Sequence, residues 1–400
     1  MKSLIITSRY PYNYFGGDAT RSINLINYAS KLGFEVDLLC FNDEKLKLLE
    51  KKKDLNKQFI IYNPTNLSKY IHIIKSIFKG KPIQCSYFIN KKTINFLKNF
   101  DFDKYDKIFI FLTRLAPILD FIENKNKVIF DMADILTINY KNAWKAKGLS
   151  LKWKLIYSIE YFLIKKTEKK LLKSNFQKLL VSERDYKYAL KYLEGNKNNL
   201  NVLPSHFPNF DLKKIEKKAK NKFTQRYLKK TFRICFIGNM NAQHNHSSIV
   251  AIVKSKIIKK LNSKDITLTV VGKMNKEKEN FYKSNSINVI SNPKNLIKSA
   301  AIFDCGISLL RHCSGLQNKL YDYALLGIPI IASKESAEGI GFKNKKHYLL
   351  VNNEFEFYQN ALFLKKNPKS AYKLTLNCAT YISEKYYIDN IVAKLSKILS

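Results

Sequence analysis

Short apolar runs recur along the chain, each separated from the next by enough residues for one helix. The first set comprises an apolar run at 3–8, a loop with Gly16 and Gly17, a helical pattern over 18–32, and a second apolar run at 35–41. Two parallel strands need a crossover of this kind, so the pattern predicts a βαβ unit. Parallel sheets carry helices on both faces, and the chain is therefore predicted to be an α/β protein.

Further apolar runs continue this alternation and form two series. The first lies at 59–62, 107–112, 127–130, 178–181 and 201–203, and the second at 233–237, 267–271, 287–290, 304–309, 328–332 and 348–351. Between them, residues 211–231 are rich in lysine and poor in apolar runs, which indicates a linker or a solvated helix.

A chain of 400 residues usually exceeds what one hydrophobic core serves. We therefore predict two Rossmann-like, doubly wound domains that face each other across a cleft, with ligands at the carboxyl ends of both sheets. The expected bounds are 1–205 for an acceptor domain and 206–375 for a donor domain. A C-terminal helix within 376–400 either closes the second domain or crosses back to the first.

The charge is strongly positive: 71 Lys and Arg against 32 Asp and Glu give a formal net charge of +39. Such a field favours anionic partners, which include nucleic acid, an acidic lipid leaflet and phosphorylated substrates. No helix-turn-helix, RNP or zinc pattern supports a specific nucleic-acid partner. A basic, aromatic helical segment at 151–176 either lies on an anionic membrane surface or packs on the core with a solvated lysine face.

The compartment is indicated by the cysteines and the N-terminus. Six cysteines lie far apart, without a C-x-x-C pair or metal spacing, and are typical of free thiols in a reducing environment. The segment 1–8 has no signal-peptide layout, and no uncharged run reaches the length of a membrane span. We expect a cytoplasmic protein, either free or peripheral on the inner face of the cell membrane. His206, His244 and His246 lack metal-spaced partners and are expected to have ordinary polar roles.

The segment 308–332 carries the most informative pattern. A strand is predicted to end at Leu310, Gly315 to open a turn, a helix to cover 316–326, and Gly327 to cap it. Backbone N–H groups at such a helix start, together with the positive end of its dipole, can hold a diphosphate.

Charged residues flank that predicted helix start. Arg311 and Lys319 could neutralise charge that develops on a leaving nucleoside diphosphate. Asp322, one turn beyond Lys319, could accept hydrogen bonds from ribose hydroxyls. The pair Lys319 and Asp322 equally fits an ordinary exposed i, i+3 ion pair.

The first domain offers its own candidates. Gly16 and Gly17 would let the backbone approach a ligand, or they form a turn without one. Arg9 and Arg21, near that loop, could hold an anionic acceptor or remain solvated. Asp131 and Asp134 follow a buried run, where a carboxylate orients an acceptor hydroxyl, acts as a base, or caps a helix.

These residues resemble a known family. Gly315-Leu-Gln-Asn-Lys319 is similar to the Gly-Ile-Gln-Asn-Lys helix start of bacterial exopolysaccharide sugar transferases, a subgroup of the retaining GT-B glycosyltransferases. Arg233-Ile-Cys-Phe-Ile-Gly-Asn-Met240, Asn245, Phe130-Asp-Met-Ala-Asp134 and Arg9-Tyr-Pro-Tyr12 resemble other segments of that subgroup in order.

The chain departs from the wider group at three places. Ser314 and Asp322 stand where that group has two glutamates, and Gly238-Asn-Met-Asn-Ala-Gln-His244 lacks its Arg/Lys pair. The usual Pro-Asn-Gly-Val-Asp hinge appears here as Pro204-Ser-His-Phe-Pro208.

The resemblance implies a retaining, metal-independent transfer from a nucleoside diphosphate (NDP) sugar to a lipid-linked or cell-surface glycan, in capsule, exopolysaccharide or lipopolysaccharide biosynthesis. The NDP-sugar is the co-substrate and no cofactor is expected. The resemblance also implies that the leaving phosphate oxygen takes the acceptor proton. The implied catalytic residues are Arg311, Lys319 and Asp131, and the acceptor-binding residues are Arg9, Arg21 and Asp134. The implied donor-binding residues are Gly238, Asn239, Gly315, Leu316, Gln317, Asn318, Asp322, Gly16 and Gly17. A nucleotide-sugar epimerase-like or phosphorylase-like enzyme of the same architecture, or a basic nucleic-acid-binding protein, remains an alternative.

Overall fold

The computed structural model describes residues 1–13, 17–42, 55–62, 80–144, 151–207, 210–310 and 316–400. The chain divides into two compact units, one formed by Met1–His206 with Ile388–Ser400 and the other by Phe207–Tyr387. Both units are α/β with parallel sheets, which confirms the fold class and the two Rossmann-like domains. The cleft expected between them stays a prediction.

The first unit is built on a parallel sheet that has seven strands within the described residues, in the order β3-β2-β1-β4-β5-β6-β7. The strands are β1 (Lys2–Thr7), β2 (Glu35–Asn42), β3 (Lys57–Tyr62), β4 (Lys107–Phe111), β5 (Val128–Ala133), β6 (Gln177–Leu180) and β7 (Leu200–Val202). Consecutive residues Ile5 and Ile6 of β1 are both fully buried, in clusters on opposite faces of the sheet. This is why the strands read as continuous apolar runs rather than as alternating ones.

Helices cover the first sheet on both faces. They are α1 (Gly17–Lys31), α2 (Ile83–Phe88), α3 (Lys91–Lys98), α4 (Leu136–Trp144), α5 (Leu151–Lys173) and α6 (Glu183–Tyr192), with 3-10 turns at Pro11–Asn13, Thr113–Phe121, Lys125–Lys127 and Lys197–Asn199. Two buried glutamates of α5 hold neighbouring helix starts. Glu160 accepts hydrogen bonds from the Ile83 and Gln84 N–H groups at 2.7 and 3.2 Å, and Glu168 accepts from the Thr137 N–H and hydroxyl at 3.1 and 2.6 Å. Burial raises the pKa of Glu168 to about 7 despite these donors.

The second unit is built on a parallel sheet with six strands among the described residues, in the order β10-β9-β8-β11-β12-β13. They are β8 (Phe232–Ile237), β9 (Ile266–Gly272), β10 (Asn288–Ser291), β11 (Cys305–Ser308), β12 (Ile330–Ala332) and β13 (Leu349–Leu350). Each predicted apolar run of this series contains or overlaps one of these strands. The strand order reverses between β8 and β11, as it does between β1 and β4 in the first unit.

The helices of the second unit begin in the lysine-rich segment. They are α7 (Leu212–Arg226), α8 (Gln243–Lys254), α9 (Ile257–Asn262), α10 (Lys276–Ser284), α11 (Leu296–Ala300), α12 (Asn318–Leu325), α13 (Lys334–Glu338), α14 (Glu354–Lys366) and α15 (Pro368–Lys385). Of the two alternatives for 211–231, the structure has a helix, α7. It packs within the second unit by burying Ile215 and Ala219, and most of its lysines are exposed; Lys222 instead is half-buried and donates to the Ala301 and Phe303 carbonyls, each at 2.7 Å. This helix packs closely on Gly327, which has no Cβ; a Cβ there would lie only 3.1 Å from the Ala219 nitrogen. Gly327 also ends α12, with a φ of +66°.

The last helix, α16 (Ile388–Leu399), belongs to the first unit. Ile391 and Leu395 are buried in that unit's core, and Lys31 forms an ion pair with Asp389 at 3.1 Å. The predicted boundary at 375/376 falls inside α15, which is continuous to Lys385; the chain changes units only after Tyr387.

The predictions about membrane-spanning segments and about the cysteines can also be compared with the described residues. No helix among them is long and apolar enough to cross a membrane. Cys40, Cys85, Cys235, Cys305 and Cys378 are free and buried, and burial raises the pKa of each thiol. Cys313 lies outside the described residues.

Candidate functional site

The carboxyl ends of β8 and β11 lie side by side at the point where the strand order of the second sheet reverses. In open α/β sheets, this is where two loops diverge and leave a crevice for a ligand. Register pairing joins Cys305 to Ile234 and Gly306 to Cys235. Beyond it the Tyr323 hydroxyl bridges the strands, accepting from the Ile237 N–H at 3.0 Å and donating to the Ile307 carbonyl at 2.8 Å. A buried side chain of α12 therefore fixes where the two strands part.

Gly238, the residue after β8, lies against β9. A Cβ on Gly272 would lie 2.0 Å from the Gly238 carbonyl oxygen, and Gly272 has a φ of +147°. A Cβ on Gly238 would lie 3.1 Å from the Asn245 amide nitrogen. The turn after β8 can approach its neighbours this closely because both positions are glycine.

Lys319 lies at the same edge of the sheet. Its ammonium donates a hydrogen bond to the Asn245 Oδ1 at 2.8 Å and lies 4.0 Å from the centre of the Phe236 ring. The Asn245 amide in turn donates to the Asn239 carbonyl at 2.9 Å. Lys319 is 8% exposed, so these contacts hold the charge in a semi-enclosed position. The structure thus brings the predicted Lys319, Gly238 and Asn239 together and adds Asn245.

Asp322 follows Lys319 by one turn of α12 and is half-buried. Burial raises the pKa of Asp322 to about 6, and the Lys319 charge opposes that rise. Burial also lowers the pKa of His244, and the Lys319 charge lowers it further. Both shifts favour the uncharged form of the group, and perturbed pKa values of this kind are common at functional sites.

The start of α12 is later than predicted. The helix begins at Asn318, Gln317 occupies its N-cap without a side-chain capping bond, and Leu316 packs against the core. Asn318 is exposed. Arg311 and Gly315, predicted to flank this helix start, lie outside the described residues, as does Gly16 in the first unit.

In the first unit, Arg21 and Asp131 form a buried ion pair. The Arg21 Nε donates to Asp131 Oδ2 at 2.7 Å, and the two side chains are 3% and 0% exposed. Asp131 also accepts the Ala133 N–H at 2.9 Å, and Arg21 Nη1 donates to the Ser205 hydroxyl at 3.3 Å. The sequence predicts an acceptor contact at Arg21 and a catalytic carboxylate at Asp131. The structure places both in a packed, buried ion pair, and the predicted acceptor contact and catalytic role stay predictions.

The backbone at the ends of β4 and β5 is strained. Leu112 and Ala133 have φ values of +80° and +60°, a region that non-glycine residues rarely adopt. Asp134, next to Ala133, is half-buried and accepts a hydrogen bond from the Asn139 amide at 3.3 Å. Gly17 is the first residue of α1 and is exposed, with open space where a Cβ would lie.

Arg9, after β1, is half-buried and lines a cavity of about 320 Å³ in the first unit. Arg114 lines the same cavity from the turn after β4, the strand next to β1. The sequence reasoning did not single out Arg114. The sequence does contain a signal for Arg114, because this residue follows the apolar run 107–112. That run contains β4, which pairs with β1 where the strand order reverses.

The histidines have ordinary partners. His206 is buried, and its Nδ1 is 3.1 Å from the Tyr28 hydroxyl; the His246 Nδ1 is 2.7 Å from the Tyr282 hydroxyl. Within the described residues, no three or more His, Cys, Asp or Glu side chains are grouped to hold a metal ion. The expectation that the reaction is metal-independent stays a prediction.

Comparison with known proteins places this site in context. Residues 231–367, roughly a third of the chain, match the family described as glycosyl transferases group 1. That segment contains Gly238, Asn245, Lys319 and Asp322. No curated protein sequence matches the chain significantly.

Solved structures share the fold over the whole chain. Anabaena HepE in complex with UDP is 13% identical, with a TM-score of 0.62. The match covers 100% of this chain and 99% of the HepE chain. Sucrose-phosphate synthase from Thermosynechococcus elongatus is 12% identical with a TM-score of 0.68, over 100% and 98%. WaaG, a glycosyltransferase involved in lipopolysaccharide biosynthesis, is 12% identical with a TM-score of 0.62, over 100% of both chains. At these identities the likeness shows the GT-B fold.

Proposed function

We propose that this chain is a glycosyltransferase that transfers a sugar from an NDP-sugar, with retention of configuration, to a lipid-linked or cell-surface glycan. The observation that carries the proposal is the grouping of Gly238, Asn245, Lys319 and Asp322 at the reversal of strand order, within the segment that matches glycosyl transferases group 1. Relatives in fold include HepE, which was crystallised with UDP.

Each residue has a role that its surroundings support. Glycine at 238 and 272 lets the turn after β8 pack closely on its neighbours, and we propose that the backbone of this turn contacts the diphosphate. Lys319, together with the N–H groups at the start of α12, would stabilise charge on the leaving diphosphate. Asp322 would accept hydrogen bonds from the ribose hydroxyls. In our proposal Arg311 and Gly315 act at the same helix start, and Leu316, Gln317 and Asn318 contribute its backbone. Gly16 and Gly17 stay predicted donor-binding residues.

The chemistry proposed here needs no protein group as a strong base. Asp131, predicted to act as one, is neutralised by Arg21 and is fully buried. We propose instead that Asp131 and Arg21 position the ends of β5 and α1, and that the leaving phosphate oxygen takes the acceptor proton. Asp134, half-buried after β5, would orient the acceptor hydroxyl. No cofactor or metal is required in this scheme.

The experiment is a ligand screen followed by a transfer assay. UDP, GDP and their sugars are tested by thermal shift, where a ligand at 100 times its Kd adds about 2.7 kcal/mol of stability. The matching NDP-sugar is then supplied with membrane lipid extract, and the product's anomeric configuration is read by NMR. Release of NDP with a new α- or β-linkage of the donor's own configuration supports retaining transfer. A free epimerised sugar nucleotide would favour the epimerase-like alternative, and stabilisation by duplex DNA alone would favour a nucleic-acid-binding protein.

We also propose that the first unit docks on an anionic membrane surface through the start of α5. Leu151, Leu155 and Phe162 recur on one face of this helix and are 85%, 63% and 60% exposed. Exposed Lys152 and Lys154 lie beside them. Exposed apolar side chains flanked by lysines are typical of helices that lie in a bilayer interface. The C-terminal half of α5 instead packs on the core through Ile164, Leu171 and Leu172.

Vesicle sedimentation tests this docking. Binding should need anionic lipid and be released by salt, because exposed charges are screened over about 8 Å at physiological ionic strength. Replacing Lys152, Lys154 and Lys166 with Gln should weaken binding more than replacing Lys169 and Lys173, which both pair with Glu194. Binding that ignores salt and both sets of substitutions would contradict the docking proposal.

A further inference from the structure

The cavity of about 320 Å³ in the first unit has an unusual lining. Two guanidinium groups, of Arg9 and Arg114, share it with Tyr87, Tyr140 and Tyr157, and Ile83 and Ile156 complete its apolar part. Ligand pockets usually measure about 300–1,000 Å³, so this one suits a single ring-sized group rather than a long chain. It lies beside the ends of β1 and β4, where the strand order of the first sheet reverses.

Arg114 has limited compensation from the protein. Its Nη2 is 3.6 Å from the Asp18 Oδ2, and the Asp18 side chain is 42% exposed. Its Nε is buried and has no hydrogen-bond partner within the described part of the chain. A buried guanidinium N–H without a hydrogen-bond acceptor costs free energy. The geometry therefore favours a ligand that supplies the hydrogen-bond acceptor.

Among the described residues that line the cavity, Glu160 is the one carboxylate, and backbone groups already engage it. Its two oxygens accept the backbone N–H groups of Ile83 and Gln84 at 2.7 and 3.2 Å, and so cap the start of α2. Burial raises the pKa of Glu160, and these hydrogen bonds oppose that rise. The described lining therefore combines the side chains of Arg9 and Arg114 with a carboxylate that is already engaged by backbone N–H groups.

The tyrosines add neutral donors and flat faces. Burial raises the pKa of Tyr140 to about 12, so its hydroxyl stays protonated. Gln84 Nε2 donates to the Tyr140 oxygen at 3.5 Å, which turns the hydroxyl proton away from Gln84. Tyr157 stacks with Trp153 at 5.6 Å between ring centres, which holds its ring in place. Such rings offer apolar faces and hydroxyl donors to a sugar.

The backbone that carries Arg114 is held in a strained form. Leu112 has a φ of +80°, and its N–H donates to the Asp131 carbonyl at 2.8 Å, so β5 helps to keep this conformation. The turn that follows begins at Thr113 and includes Arg114. Strain of this kind is kept where the surrounding structure determines it, often at a binding site.

We infer that this cavity binds the acceptor through a phosphate or carboxylate group, and that the acceptor is therefore an anionic saccharide rather than a neutral one. Arg9 and Arg114 hold the anion, and the tyrosines contact the sugar ring. That the bound saccharide is the acceptor rests on the proposed glycosyl transfer. The anion site itself does not depend on that proposal. It replaces the predicted pair Arg9 and Arg21 with Arg9 and Arg114.

The test measures binding of glucose 1-phosphate, glucuronic acid and glucose to the full-length chain by calorimetry. Saturating UDP is present to occupy the proposed donor site of the second unit. The titrations are repeated in Lys319→Ala, so that any sugar that binds at that site is recognised by a change in its affinity. We expect the two anionic sugars to bind at least about tenfold more tightly than glucose. Arg9→Gln and Arg114→Gln should each weaken the anionic sugars about tenfold or more, since charge-assisted hydrogen bonds are lost.

Lys125→Gln is the matched control, because it removes the same charge from an exposed position of the same unit. It should change affinity less than twofold. Arg114→Lys keeps the charge but not the planar fork, and should retain part of the binding even if Arg114→Gln folds poorly. Equal affinity for glucose and the anionic sugars, or equal losses in Lys125→Gln and the arginine variants, would overturn the inference.

The outcome also separates this inference from the proposed function. If UDP binds but the arginine variants bind anionic sugars normally, the inference fails and the glycosyltransferase proposal stands. If UDP and its sugars do not bind while the arginines still select anions, the proposed function fails and the anion site stands. Phosphatidylcholine vesicles with and without polyprenyl phosphate then identify the source: arginine-dependent capture supports a lipid-linked phosphate, and its absence, with sugar phosphate still bound, supports a free one.

Discussion

The two sheets reverse strand order in the same way, yet the buried cations Arg21 and Lys319 of the two units have different partners. In the first unit, Arg21 is neutralised by the fully buried Asp131, and the pair is closed to solvent. In the second unit, Lys319 bonds to the neutral amide of Asn245 and lies over the Phe236 ring. An amide and a ring position a cation without cancelling its charge, whereas a carboxylate cancels it. The comparison teaches that the two cations are held by different kinds of partner, and in our proposal the second one acts on the leaving diphosphate.

Asp131→Asn should have the largest effect, since it breaks the neutralised pair. It leaves Arg21 buried without its carboxylate, and the loss in free energy of unfolding should be about 3–5 kcal/mol. Urea denaturation followed by circular dichroism measures it. Asp389→Asn, which breaks the exposed pair with Lys31, is the control and should cost less than about 1 kcal/mol. Losses of equal size in the two variants would remove the distinction between a buried and an exposed pair.

Lys319→Ala tests the other side of the comparison. It should weaken UDP or GDP binding by about 1.5–3 kcal/mol, because a charge-assisted hydrogen bond to the diphosphate is lost. Calorimetry with the matching nucleotide gives the value. Lys298→Ala removes an exposed lysine of the same unit and should leave affinity unchanged. Unchanged nucleotide affinity in Lys319→Ala would overturn the assignment of Lys319 to the donor site.

Tyr323→Phe asks whether the parting of β8 and β11 matters for the site. The variant leaves the Ile237 N–H and the Ile307 carbonyl without the bridging hydroxyl, at a cost of about 1–3 kcal/mol in the free energy of unfolding. Nucleotide affinity should fall as well. Tyr386→Phe also loses a buried hydroxyl bond, to the Ile340 carbonyl, but lies away from that bridge and should lower stability alone. Parallel results in both variants would mean that Tyr323 acts only on stability.

The pH dependence of nucleoside binding should give the smallest effect. The pKa of Asp322 is raised by burial to about 6 from an ordinary value near 4. The folded state thus binds more protons than the unfolded state between these values, so Asp322 makes stability fall as pH rises from about 4 to 6. The ionised carboxylate accepts hydroxyl hydrogen bonds better, so uridine affinity should instead rise through pH 6, about fivefold, from roughly 1 kcal/mol.

Uridine is the ligand of choice here because it carries no phosphate that titrates in this range. Asp322→Asn should abolish the rise in affinity between pH 5 and 8, measured by calorimetry or NMR titration. If the variant keeps the same pH profile, another group is responsible for it.

Local sequence was enough to predict the α/β class, the two strand series and the helices near 18–32, 151–176 and 316–326. Apolar runs such as 107–112 and 267–271 leave few choices, because a strand that is buried on both faces must be apolar at consecutive positions. Gly327 likewise marked the end of α12, since a φ of +66° favours glycine. The motif around Lys319 pointed to the end of the sheet where the structure brings Gly238, Asn239 and Lys319 together.

Only the tertiary structure decided which charges are neutralised. Arg9, Arg21 and Arg114 look alike in the sequence, but contacts between distant residues set their surroundings: Asp131 closes Arg21, whereas a cavity receives Arg9 and Arg114. The same holds for Glu160 and Glu168, which cap the starts of α2 and α4 from another helix. Burial and partner choice depend on contacts across 30 to 110 residues, and these shift a charge's energy by more than any local pattern reveals.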